Sequence, residues 1–95
     1  MICVVTYDLN QGIFHDYSGF IQEIQNLGPW SKYMDKTWIV ATHIPLQEIS
    51  NRLTQHLGQS DRLLIVRLEA GQYQGWMPPE VWDWINSQYT QYGFF

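Results

Sequence analysis

Residues 2–8 read Ile2-Cys3-Val4-Val5-Thr6-Tyr7-Asp8, an apolar, largely β-branched run that ends in a carboxylate. Apolar residues at successive rather than alternate positions mark a strand buried on both faces, and such strands tend to be central in their sheet. Thr37-Trp38-Ile39-Val40-Ala41-Thr42 has the same character, and Leu63-Leu64-Ile65-Val66 gives a further strand within Arg62–Leu68. Between the first two, Tyr17, Phe20, Ile21, Ile24 and Leu27 recur at helical spacing. They predict a helix from about Asp16 to Leu27, capped by Asp16 and stopped by Gly28-Pro29. The polar stretch Ser31–Asp35 reads as one arm of a hairpin with 37–43, turning at Asp35-Lys36. Pro45 opens a second helix over 45–57, with Leu46, Ile49, Leu53 and Leu57 as its inner stripe. After a loop at 70–78, a short helix is expected from about Pro79 to Gln88. Val81, Trp84 and Ile85 share one stripe of it, and Trp82 points away as an anchor for another surface.

The resulting order, β-α-β-β-α-β, is the ferredoxin-like α+β pattern, here a single domain over 1–95 with a short C-terminal helix and an aromatic tail. That topology makes the first and third strands central and the polar second strand an edge. Two helices cover only one sheet face, although the strands are apolar on the other face too, and the apolar fourth strand is left as an edge. The C-terminal segment or a second copy must cover these surfaces, and a face-to-face homodimer is the expectation.

Ninety-five residues with 45% hydrophobic content suffice for one core and not for two. Nine acids against five cations (Lys32, Lys36, Arg52, Arg62, Arg67) give a net charge of −4. Phosphate neutralisation needs Lys and Arg, so a high-affinity, non-specific DNA binder is excluded. No apolar run approaches membrane-spanning length, and Met1–Val5 lacks the features of a signal peptide. Cys3 is the only cysteine. It permits no internal disulfide and suits a cytoplasmic setting, with burial in the first strand as its expected role.

Asp8, where a central strand ends, is the foremost candidate for chemistry. Its alternative role is to hydrogen-bond the loop that follows, as aspartate commonly does. His15, in that loop, is a candidate general acid or base beside Asp8, and an exposed loop histidine is the ordinary alternative. With the third strand read as parallel to the first, His43 is expected at the same sheet end, an exposed loop histidine again being the ordinary alternative. His56 sits near the negative end of the second helix. No residue cluster has zinc-ligand spacing, no glycine motif cradles phosphate, and Ser18 and Ser31 have no evident base. Trp76, Trp82, Trp84, Tyr89, Tyr92, Phe94 and Phe95 are suited either to stacking on bases or, lacking interleaved cations, to packing and interfaces.

Val4-Val5-Thr6-Tyr7-Asp8-Leu9 resembles the small CRISPR-associated spacer-acquisition protein, and VapD-type toxins are similar. The SinR-like branch of that superfamily is the closer resemblance, through Tyr7-Asp8-Leu9-Asn10, Thr37-Trp38-Ile39-Val40, Asp61-Arg62-Leu63-Leu64 and Gly75-Trp76 leading to Trp82-Asp83-Trp84. The wider family implies a homodimer with facing sheets and an acid near the dimer axis that binds a divalent metal, Mg or Mn. That acid maps onto Asp8. Some members are metal-dependent endonucleases, on RNA or DNA, and others are structural adaptors. The resemblance therefore implies an endonuclease, RNA being the favoured substrate, or a non-catalytic adaptor that binds a protein partner through the aromatic C-terminal region. Residues 9–31 depart from the family pattern in holding no Lys or Arg.

Overall fold

The computed structural model describes residues 1–92, in the order β1 (Ile2–Asp8), α1 (Ser18–Gln25), β2 (Trp30–Met34), β3 (Thr37–Ala41), α2 (Leu46–Thr54), β4 (Arg62–Leu68) and α3 (Pro79–Tyr92). The fold is α+β, with one antiparallel sheet in the order β2-β3-β1-β4. The two strands that are apolar on both faces, β1 and β3, are central.

Strand side chains alternate between faces, and each face of this sheet has its own core. On one, Cys3 and Val5 of β1 and Trp38 and Val40 of β3 pack against Phe20 and Ile24 of α1 and Ile49 and Leu53 of α2. The Tyr7 ring meets Phe20 edge-on at 4.9 Å, and its hydroxyl accepts the Trp38 Nε1–H at 2.9 Å. On the other, Val81, Ile85 and Tyr89 of α3 bury Ile2 and Ala41. The Tyr89 hydroxyl donates to the Leu68 carbonyl. This anchor carries α3 through to Tyr92, beyond the expected end at 88.

Local chemistry moves the helix ends. Asp16 lies outside α1, and its carboxylate accepts the Ser18 N–H at 2.9 Å from just ahead of the N-cap, Tyr17. Gly28 does more than stop the helix: a Cβ there would lie 2.1 Å from the Ala41 carbonyl oxygen. Pro45 is the N-cap of α2, and the helix ends at Thr54 rather than at 57, although Leu57 still packs on the core.

Two expectations are corrected. β3 runs antiparallel to β1, with Ile2 opposite Ala41 and Thr6 opposite Thr37. His43 therefore lies at the Met1 end of the sheet, away from Asp8. The hairpin reverses the chain, so the strand parallel to β1 is β2, one position further out. Trp82 is no outward anchor. It stacks on Tyr73 (centroids 6.1 Å apart, planes 11° apart) and packs on the α3-side core. The most exposed tryptophan among the described residues is Trp76, at 99%, with Trp30 at 43%. Of the tail aromatics, the Tyr92 side chain, Phe94 and Phe95 lie outside the described residues.

α3 covers only the Ile2–Ala41–Leu68 end of its face. Leu64 (59%), Val66 (45%) and Met34 (48%) stay exposed beside half-buried Val4 and Ile39. Among the described residues no helix is long and apolar enough to cross a membrane.

Candidate functional site

β1 delivers Asp8 to the uncovered end of the sheet, where it is exposed and directly opposite Arg62 of β4. The Asn10 amide donates to Asp8 Oδ2 at 3.2 Å and to the Asp8 carbonyl at 3.3 Å. The Arg62 guanidinium is turned away, donating to the Gln59 and Asp61 carbonyls at 2.8 Å each. Asp8 thus organises the turn after β1, at the edge of a shallow recess of about 270 Å³ lined by Thr6, Tyr7, Arg62, Leu63 and Leu64.

His15 packs edge-on against Tyr17, with centroids 4.4 Å apart, and its backbone N–H donates to the Gly12 carbonyl. Among the described residues no hydrogen bond or ion pair joins it to Asp8. His56 lies between the helices, against Gly19, where a Cβ would come within 3.1 Å of its Nδ1.

The organising residue of this end is Asp61, which sequence reasoning did not single out as a site. It is only 7% exposed, and both its oxygens are fully engaged. Oδ1 accepts the Asn10 N–H at 2.6 Å and the Tyr17 hydroxyl at 2.8 Å. Oδ2 accepts the Gln11 side-chain amide at 2.6 Å and the Gly58 N–H at 2.9 Å. Burial by itself would raise its pKa, but the donors from Gly58, Asn10, Tyr17 and Gln11 outweigh it and hold the carboxyl well below the usual range. Its position between a Gly58 turn and an apolar strand is visible in the sequence. The convergence of Gln11 and Tyr17, some fifty and forty-four residues away, is not.

Among the described residues no three His, Cys, Asp or Glu come together. Asp8 is one carboxylate with an amide already on it, and Asp61 has no lone pair to spare, whereas Mg²⁺ takes near-octahedral oxygen coordination.

A second feature lies on the α3 side. The uncovered sheet face, the loop after β4 and α3 enclose an apolar groove of about 250 Å³, lined by Val4, Met34, Ile39, Tyr73, Met77 and Trp82 among others. Trp76 is at its rim, and its lining includes no charged side chain. Comparison of the chain with protein-family models, curated proteins and solved structures finds no match.

Proposed function

We propose that this chain is a cytoplasmic, non-catalytic homodimeric adaptor of ferredoxin-like architecture that holds a protein partner through its aromatic C-terminal region. The βαββαβ order with β1 and β3 central supports the architecture. The observation that carries the function is the uncharged groove with Trp76 fully exposed at its rim. An exposed Trp76 and an exposed Met34 on one uncharged lining are the composition of an interface, where aromatic residues and Met are enriched and charge is depleted. The cations offer little to a phosphate backbone. Arg67 pairs with Glu69 at 3.0 Å, Arg52 pairs with Glu48 at 3.4 Å, and Lys32 lies over the Trp38 ring.

A second reading is the metal-dependent endonuclease, on RNA in preference to DNA, with Asp8 from two copies as the Mg or Mn ligand and His15 as acid or base. The exposure of Asp8 beside its recess favours it, together with the resemblance to CRISPR-associated, VapD-like and SinR-like proteins. It requires two copies to bring their carboxylates together.

Two variants separate the readings. The adaptor predicts that partner capture from the source lysate is lost in Trp76→Ser and kept in Asp8→Ala. It also predicts no Asp8-dependent cleavage of single-stranded RNA or duplex DNA with Mg²⁺ or Mn²⁺. Cleavage lost in a folded Asp8→Ala variant would overturn the adaptor and establish the nuclease.

A further inference from the structure

We propose that two copies of this chain pair through β4, edge to edge and antiparallel, about a twofold axis at Ile65, making one continuous eight-stranded sheet. This rests on the homodimer in the reading above and adds its interface, register and geometry.

The two sheet edges are built differently. β2 is blunted: its register with β3 shifts between Ser31 and Met34, and Pro29 precedes it. Natural sheets protect their edges in this way. β4 has no such device. It holds register with β1 at every position from Leu68 opposite Ile2 to Arg62 opposite Asp8, has no proline, and exposes Leu64 and Val66. A regular seven-residue edge whose central residues Leu63–Val66 are all apolar is a template for another strand.

The backbone identifies the free groups. The Tyr7 N–H donates to the Lys36 carbonyl, and the Met1 carbonyl accepts the Thr42 N–H, so the odd residues of β1 bond toward β3. Its even residues therefore bond β4 through their partners Arg62, Leu64, Val66 and Leu68. The N–H and C=O groups of Leu63, Ile65 and Arg67 consequently point outward.

Symmetry then selects the register. Antiparallel pairing of identical edges needs a twofold axis perpendicular to the sheet, which places odd residues opposite odd. Centring on Ile65 pairs it with Ile65 of the second copy and pairs Leu63 with Arg67 in both directions. All the outward groups are then used, in about six hydrogen bonds. A shift of one register step strands a pair, and a larger shift toward Arg67 sets arginine against arginine. On the α3 face, Leu64 comes to lie beside Val66 of the second copy.

The surroundings admit the second copy. A groove of about 290 Å³ separates α2 from β4, and its α2 wall consists of uncharged Leu46, Gln47, Ser50 and Thr54. The two α2 helices therefore approach without like-charge repulsion. Face-to-face packing is more restricted. Facing sheets lie about 10 Å apart, and α3, itself about 10 Å across, already stands in that layer. Pairing at the edge leaves the Trp76 groove open in both copies.

Light scattering gives the mass, and amide hydrogen exchange gives the interface. The expectation is a dimer in which Leu63 and Ile65 exchange at least about tenfold more slowly than in an Arg67→Pro variant. Arg67→Pro removes an outward N–H, leaves the β1–β4 ladder intact, and should be a folded monomer. In the wild-type dimer the Leu63, Ile65 and Arg67 amides should be as protected as those of Leu64 and Val66, a readout that needs no variant. A dimer whose Leu63, Ile65 and Arg67 amides exchange freely would overturn the edge pairing and leave the homodimer standing. A monomer at all concentrations would overturn both.

Discussion

Tyr17 donates its hydroxyl to Asp61 Oδ1 at 2.8 Å, tying the threshold of α1 to the turn before β4. The same carboxylate takes the Asn10 and Gly58 N–H groups and the Gln11 amide, so one buried anion holds three segments at the Asp8 end. A lone buried carboxylate would be destabilising; with four donors it is instead a fastening.

Asp61→Asn keeps the shape but puts an N–H₂ where donors already point. We expect it to lower Tm by at least about 5 °C at pH 7. The donors depress the folded pKa, so the stabilisation is present above the unfolded carboxylate value, about 3.9. It is lost as pH falls below that value toward the folded pKa. Urea midpoints at pH 7 and pH 3 should differ more in the wild type than in Asp61→Asn. Equal pH dependence in both proteins would remove Asp61 from this role.

Two glycines with positive φ should respond differently to alanine. At Gly28 (φ 153°) the new Cβ would meet the Ala41 carbonyl oxygen at 2.1 Å, so the hairpin must move off α1. A loss of about 3 kcal/mol is expected. At Gly12 (φ 95°) nothing lies within 4 Å, and only backbone strain opposes the change, about 1 kcal/mol. Chemical denaturation of the two variants measures the difference, and similar losses would contradict the close approach at Gly28.

What the sequence revealed was what depends on near neighbours. The two-sided apolarity of Ile2–Val5 and Thr37–Ala41 is a local pattern, and it placed both strands at the sheet centre. The Asp35-Lys36 turn was equally legible, with Lys36 at φ 57°. Features set by distant partners were not. The length of α3 depends on the reach of Tyr89 to Leu68, and the orientation of Trp82 depends on Tyr73. Asp61 was not singled out because three of its four donors, from Asn10, Gln11 and Tyr17, come from the other end of the chain. Asp8 was legible as the end of β1, but its engagement with Asn10 is a matter of turn geometry.

Cys3 has no access to solvent, and burial pushes its thiol up to about 11. A thiol-specific disulfide reagent at pH 8 should therefore react at least about a thousandfold more slowly with the folded chain than with the urea-unfolded one, since β1 must open first. The raised pKa also fixes the sign of an alkaline effect. The unfolded thiol ionises from about 8.5, so stability falls as pH rises from there toward 11. Cys3→Ala should remove that portion of the fall, and rapid labelling of the native protein would refute the burial of β1.

The Tyr7–Trp38 hydrogen bond links the two central strands from within the core. Trp38 is 3% exposed, and its Nε1–H has the Tyr7 hydroxyl as acceptor at 2.9 Å. Tyr7→Phe keeps the ring on Phe20 but strands the indole N–H, which should destabilise by about 1–3 kcal/mol. Trp38→Phe removes the donor and some packing, whereas half-buried Tyr7 can turn its hydroxyl to water. In the double variant neither group is left unpaired, so the combined loss should fall short of the sum of the single losses by about 1 kcal/mol. Additive losses in that cycle would mean that the bond contributes nothing and that Tyr7 acts through its ring alone.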